Sequence, residues 1–137
     1  METTRPETQA QPGDATRVFI VDDSAAIRLR LTEMLSCMEN VRVVGEAKSA
    51  REAIAAILRV RPDSVLLDLN LMGRTGIDVM RSVLPQAPSI VFVVLTNHPE
   101  PQYRRACTEA GATYFLDKSR EFDRVRDVIA QIAATRH

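Results

Sequence analysis

The sequence predicts an α/β three-layer sandwich, a five-stranded parallel sheet with helices on both faces, and three observations predict it. Apolar runs of strand length at 18–21, 65–67, 90–95 and 114–116 show no polar alternation, the pattern of strands buried on both sides. Apolar residues at helical spacing recur between and after these runs, as on helices that pack one face against a sheet. The connections are only a few residues long, so successive strands run parallel through right-handed crossovers.

In chain order, residues 1–16 are polar and contain Pro6, Pro12 and Gly13. They hold too few apolar side chains to offset the entropy of ordering and no apolar core of a signal sequence, so a disordered tail is expected. A first strand spans 17–21. Ser24 then opens a helix to about residue 38, with Ile27, Leu31, Met34, Leu35 and Met38 on one face. A short strand follows at 41–45, and Ser49 with Glu52 is a capping-box signature for a helix ending near residue 60. Arg61-Pro62-Asp63 breaks that helix, and the third strand carries Val65-Leu66-Leu67 into Asp68. A loop over 70–75 leads to a short helix from Gly76 to about residue 84, which Pro85 and Pro88 end. The fourth strand reaches Leu95, a loop with two prolines occupies 97–101, and a helix spans 102–110 with Gly111 at its C-cap position. A fifth strand at 113–116 and a helix from 121 to about 134, with Phe122, Val125, Ile129 and Ile132 on one face, complete one domain over 17–134. Residues 135–137 form a C-terminal tail. Five strand-helix repeats of this kind describe a flavodoxin-like sandwich with strand order 2-1-3-4-5.

Composition narrows the function. A chain of 137 residues supports one domain with a substantial core. Its 18 basic and 18 acidic residues balance, which argues against a sequence-independent grip on nucleic acid. No run approaches the roughly 18 apolar residues of a membrane span. Cys37 and Cys107 form no CxxC pair and read as two small buried thiols in a reducing compartment, and with no signal sequence the cytoplasm is the default location. Neither GxxxxGK[ST] nor GxGxxG occurs, which removes the common nucleotide-binding loops.

Chemistry concentrates at the carboxyl ends of the strands, where ligands bind in open parallel sheets. The first strand stops at Asp22-Asp23, the third at Asp68, the fourth at Thr96-Asn97 and the fifth at Asp117-Lys118. In the order 2-1-3-4-5 the crevice between strands one and three brings Asp22, Asp23 and Asp68 side by side. Their mutual repulsion is relieved by raised pKa values or by a divalent cation, and magnesium suits a few carboxylates plus a phosphate. Asp68, alone at its strand end, can serve as an aspartyl nucleophile toward phosphorus. Lys118 would supply a compact positive charge and Thr96 a hydroxyl donor to the phosphoryl oxygens. Asp22 or Asp23 taken singly could equally cap the first helix; the case rests on all of these strand ends together.

On these residues the chain resembles the receiver domain of two-component response regulators over 17–134. The resemblance implies that Asp68 accepts a phosphoryl group from a histidine kinase or phosphotransfer protein. It implies that Asp23, Asp68 and the backbone carbonyl of Asn70 ligate Mg2+, with Asp22 acting mostly through a bound water. Thr96 and Phe115 are then switch residues that reshape the surface of helix four, strand five and helix five toward a downstream protein target. Such a domain is a phosphoacceptor switch rather than a turnover enzyme, and a phosphorylation-dependent homodimer fits the same family. The side chains of Asn70 and His98 stand where dephosphorylation is tuned.

Two departures stand out. The family usually has proline a few residues after the acceptor, where this chain has Met72-Gly73, and proline after the lysine, often with a cis bond, where it has Ser119. A non-proline cis bond costs about 3–4 kcal/mol, so Lys118–Ser119 is expected to be trans and its loop differently placed. These departures keep open a scaffold receiver that works without phosphorylation. A phosphatase of the haloacid-dehalogenase type, which also uses an aspartyl nucleophile, would have a second Asp where this chain has Asn70. The chain ends soon after its last helix, so a standalone receiver without direct DNA binding is expected.

Overall fold

A computed structural model describes residues 15–71 and 74–135. The elements are β1 (Thr16–Val21), α1 (Ala25–Ser36), β2 (Val41–Ala47), α2 (Ala50–Val60), β3 (Ser64–Leu67), α3 (Gly76–Val83), β4 (Val91–Thr96), α4 (Pro101–Ala110), β5 (Tyr114–Asp117) and α5 (Arg124–Thr135). The five strands form one parallel sheet in the order β2-β1-β3-β4-β5. The chain steps from β1 out to β2, returns past it to β3, and continues in the same direction. Right-handed crossovers therefore place α1 on one face of the sheet and α2, α3 and α4 on the other.

The uninterrupted apolar strands now have a physical account. Phe19, Val21, Val65, Leu67, Phe92, Val94 and Phe115 point into a core shared with Ala53, Ile57, Val79, Met80, Val83 and Cys107 of α2–α4. The intervening residues Val18, Ile20, Leu66, Val93, Leu95 and Leu116 point into a second core with Leu31 and Leu35 of α1 and Val125, Val128, Ile129 and Ile132 of α5. Alternate side chains thus bury on opposite faces, each large one contributing about 1.5–3 kcal/mol.

Several boundaries differ from the sequence reading for local reasons. Most of the expected tail lies outside the described residues, but Ala15 and Thr16 are buried, and Thr16 N–H donates to Asn40 O at 2.7 Å, which starts β1 one residue early. The loop over 70–75 carries a two-residue antiparallel ladder, Asn70 opposite Thr75 and Leu71 opposite Arg74. The α5 helix begins at Arg124 rather than residue 121, because Glu121 closes a turn with Asp117. Ser49 caps α2 by accepting from Glu52 N–H, yet the Glu52 carboxylate accepts from Lys48 N–H, so the reciprocal half of the box is shifted by one residue. A complete box instead opens α3, where Thr75 and Asp78 cap one another's backbone. Gly111 takes φ +113° at the end of α4, the left-handed cap expected of glycine. Met72 and Gly73, and the last two residues of the C-terminal tail, lie outside the described residues; Thr135 ends α5.

Candidate functional site

The ends of β1 and β3 meet at the middle of the sheet. Asp22 follows β1 and is 2% exposed, Asp68 follows β3 and is 7% exposed, and Asp23 faces solvent. One carboxylate oxygen from each lies within 4.8 Å of the others. Lys118, immediately after β5, reaches across with its Nζ 2.8 Å from Asp22 Oδ2 and 3.3 Å from Asp68 Oδ2. These residues, with Ser24, Ile27, Arg30, Asn70, Asn97 and Phe122, line an open cleft of about 450 Å³.

The backbone explains the convergence. Asp68 N–H donates to Val21 O at 2.9 Å, continuing the ladder one residue past β3 and fixing the acid beside the end of β1. Asp22 N–H donates to Ala47 O at 3.1 Å on the other side. Asp22 Oδ1 accepts from Ser24 N–H at 2.9 Å, while the Ser24 hydroxyl, not an aspartate, caps α1 by accepting from Ile27 N–H at 3.2 Å. Arg28 donates to Asp22 O at 2.7 Å and pairs with Glu46 at 2.5 Å, pinning the acidic loop from behind. Gly76 lies directly beneath Asp68, where an added Cβ would stand 2.6 Å from the Asp68 carbonyl oxygen.

Burial pushes the Asp68 carboxyl above the ordinary carboxylate range, against the pull of the Lys118 ammonium and of Asn70 N–H, which donates to Asp68 Oδ1 at 3.3 Å. The Asp22 charge adds to the upward push. A buried acid held this way is reluctant to carry its charge unaided, and a further cation would relieve it. Three carboxylate oxygens from three residues are the hard-oxygen donor set a divalent metal takes, so the cluster can hold one.

The other expected residues divide. Thr96 is fully buried and its Oγ1 accepts from His98 N–H at 3.1 Å, leaving the hydroxyl proton to donate elsewhere; its neighbour Asn97 lines the cleft. Phe115 is buried in the α2–α4 core, with the Arg104 guanidinium 4.7 Å over its ring. Tyr103, Arg104 and Arg105 form an exposed face of α4. Of the two cysteines expected to be buried only Cys107 is, whereas Cys37, at the C-cap of α1, is exposed. The His98 ring tilts against Tyr103 at 5.5 Å instead of lining the cleft, whereas Asn70 does line it. The Lys118–Ser119 bond is trans, as its chemistry predicts. Sequence reasoning overlooked Arg30, whose guanidinium stacks 4.0 Å over Phe122 at the cleft wall, and Arg28; both lie on α1, where periodicity marks only the apolar stripe.

Comparison with known proteins identifies the family to which this fold belongs. Residues 18–130 match the family described as the response regulator receiver domain. The chain is 33% identical over 127 residues to protein-glutamate methylesterase/protein-glutamine glutaminase 1 of Syntrophus aciditrophicus, covering 86% of this chain and 36% of that protein. It is 30% identical over 118 residues to the response regulator GacA of Pseudomonas aeruginosa, covering 86% of this chain and 55% of GacA. The chain therefore spans about half or less of the length of these relatives. Among solved structures, the REC domain of AraT, a response regulator from Geobacillus stearothermophilus, superposes with a TM-score of 0.77 at 27% identity, covering 88% of this chain and 95% of that one.

Proposed function

The chain belongs to the response regulator receiver domain family, and from that premise we propose that Asp68 is the phosphoacceptor of a two-component switch. The observation that carries the reading is the position of Lys118 Nζ, 2.8 Å from Asp22 and 3.3 Å from Asp68, in a cleft at the strand ends. Asp22, Asp23, Asp68 and the Asn70 backbone carbonyl would hold Mg2+. When bound, the ion neutralises charge on the acids and on the incoming phosphoryl oxygens.

The phosphodonor is the phosphohistidine of a histidine kinase or phosphotransfer protein. An Asp68 carboxylate oxygen attacks phosphorus as the P–N bond breaks, and the electron pair of that bond returns to the donor imidazole. Asp68 suits this role because its carboxylate is desolvated and only lightly hydrogen-bonded, so little solvent must be stripped from the nucleophile. Lys118 is already aimed at Asp68 and supplies fixed positive charge to the transferred group. Thr96, at the end of the neighbouring strand, offers its hydroxyl proton to a phosphoryl oxygen. Its movement would vacate space beside Phe115 and alter the α4, β5 and α5 surface that a downstream protein reads. Among the described residues no helix is long and apolar enough to cross a membrane, and we place the switch in the cytoplasm.

The test is intact mass after incubation with Mg2+ and acetyl phosphate, on wild type and Asp68→Asn in parallel. A single phosphoryl adduct on wild type and none on the variant is expected. An adduct of equal yield on Asp68→Asn would overturn the assignment.

A further inference from the structure

Nothing in the loop after β5 resembles the proline-based turn expected of the family, yet Lys118 is delivered to the acids. Lysine has a flexible four-carbon stem, so the place its ammonium occupies depends on how firmly the backbone beneath is held. That backbone is held by side chains. Asp117 Oδ1 accepts from Ser119 N–H at 3.0 Å and from the Ser119 hydroxyl at 2.8 Å. Asp117 N–H donates to Glu121 Oε1 at 2.9 Å, and Asp117 O accepts from Arg120 N–H at 3.2 Å and Glu121 N–H at 2.7 Å. Glu121 is in turn paired with Arg124 at 2.8 Å. Lys118 N–H, at the centre of this ring, donates to Thr96 O at 2.7 Å.

We infer that Asp117, Ser119 and Glu121 form a clasp of positioning residues that does for this chain what a rigid proline turn would otherwise do, holding Lys118 where its ammonium meets Asp22 and Asp68. None of the three lines the cleft, so they act through Lys118 alone. The inference rests on the reading of Asp68 as phosphoacceptor and Lys118 as its cationic partner. Ser119 fits because it adds a second donor to Asp117 where proline would have none.

The experiment is the rate of Asp68 labelling by acetyl phosphate and Mg2+, across phosphodonor concentrations, for wild type, Ser119→Ala, Glu121→Ala and Ser119→Thr. Each is also made in a Lys118→Ala background. A group that positions a transition-state cation should change the limiting rate and leave the half-saturating concentration alone. Ser119→Ala and Glu121→Ala should each slow the limiting rate by about 3- to 10-fold, the size a single hydrogen bond carries. Ser119→Thr, which keeps the hydroxyl, should stay near wild type. In the Lys118→Ala background the two alanine variants should cause no further loss, as coupling through one shared partner requires. Wild-type rates in both alanine variants, or losses undiminished without Lys118, would overturn the clasp while leaving the Asp68 reading intact. Failure of the wild type itself to be labelled would remove that reading, and the clasp with it.

Discussion

Asp68 and Asp117 are the same residue type at the ends of two strands of the same sheet edge, and their surroundings push them in opposite directions. Asp68, after a central strand, is buried, and its carboxyl is raised above the ordinary range by desolvation. Asp117, at the end of the edge strand, is partly exposed and pulled below that range, chiefly by the Ser119 hydroxyl and then by backbone N–H groups of Ser119 and Arg120. The strand end does not make an acid reactive. What separates the two is hydrogen bonding and water. The edge position lets a carboxylate satisfy itself with several donors of its own turn, whereas the central position removes most solvent and leaves one long turn hydrogen bond, from Asn70 N–H at 3.3 Å, beside the Lys118 ammonium.

The packing beneath Asp68 offers the largest way to break this contrast. Gly76 abuts the Asp68 backbone, where a Cβ would also meet Leu67 Cγ at 3.1 Å and Leu69 Cα at 3.2 Å. In a helix interior Gly→Ala gains about 1 kcal/mol of propensity, and for Gly76→Ala, at the first residue of α3, the gain is smaller. The clash is with backbone, which cannot rotate away, and overpacking of this kind costs about 1–3 kcal/mol. The variant should therefore melt lower despite the better helix former, and should label Asp68 more slowly as the acid is displaced from Lys118. An unchanged melting midpoint and labelling rate would mean that the position of Asp68 does not depend on this contact.

Next comes the sign of a charge deletion. A folded-state pKa above the unfolded value means that the folded form holds its proton more tightly, so ionisation of Asp68 lowers stability as pH rises through the shifted pKa and keeps it low at neutral pH. Asp68→Asn keeps the shape and removes the charge, and Lys118 retains Asp22 at 2.8 Å. Its melting midpoint at pH 7 should rise by roughly 1–3 °C without metal, even as labelling is lost. A fall at pH 7 would mean that the Lys118 contact outweighs desolvation.

These outcomes bear on what could be read in the sequence. The strand ends were legible because an apolar run that stops at a charged residue marks both the end of burial and the rim of the sheet. Asp22, Asp68 and Lys118 accordingly lie in contact where strand order predicts. Side-chain direction was less legible. Arg28 reaching back to Asp22 O, Arg30 over Phe122 and Arg104 over Phe115 follow from rotamers and loop paths that leave no periodic trace. Capping was half legible: the Ser49 and Glu52 spacing led to the right helix with a shifted partner, whereas Thr75 and Asp78 escaped notice because the signature sought at the third position is Glu or Gln. The late start of α5 has the same origin, since the Asp117 to Glu121 ring can be seen only once the turn is built.

The smallest effect belongs to Asp117, and its sign should be opposite to that of Asp68. A depressed folded-state pKa contributes stability above the ordinary carboxylate range, and that contribution is lost as pH falls through the depressed value. Asp117→Asn retains an acceptor for Ser119 and loses only the charge that strengthens the hydrogen bonds. Exposure to solvent screens the effect, so the melting midpoint at pH 7 should drop by less than Asp68→Asn raises it. The gap from wild type should then narrow on acidification as wild-type Asp117 takes up its proton. Melting curves of both variants across pH 3 to 7 measure the two slopes on one fold. A gap for Asp117→Asn that stays constant to the acid end would mean that its hydrogen bonds do not depend on charge, and the contrast between the two aspartates would reduce to burial alone.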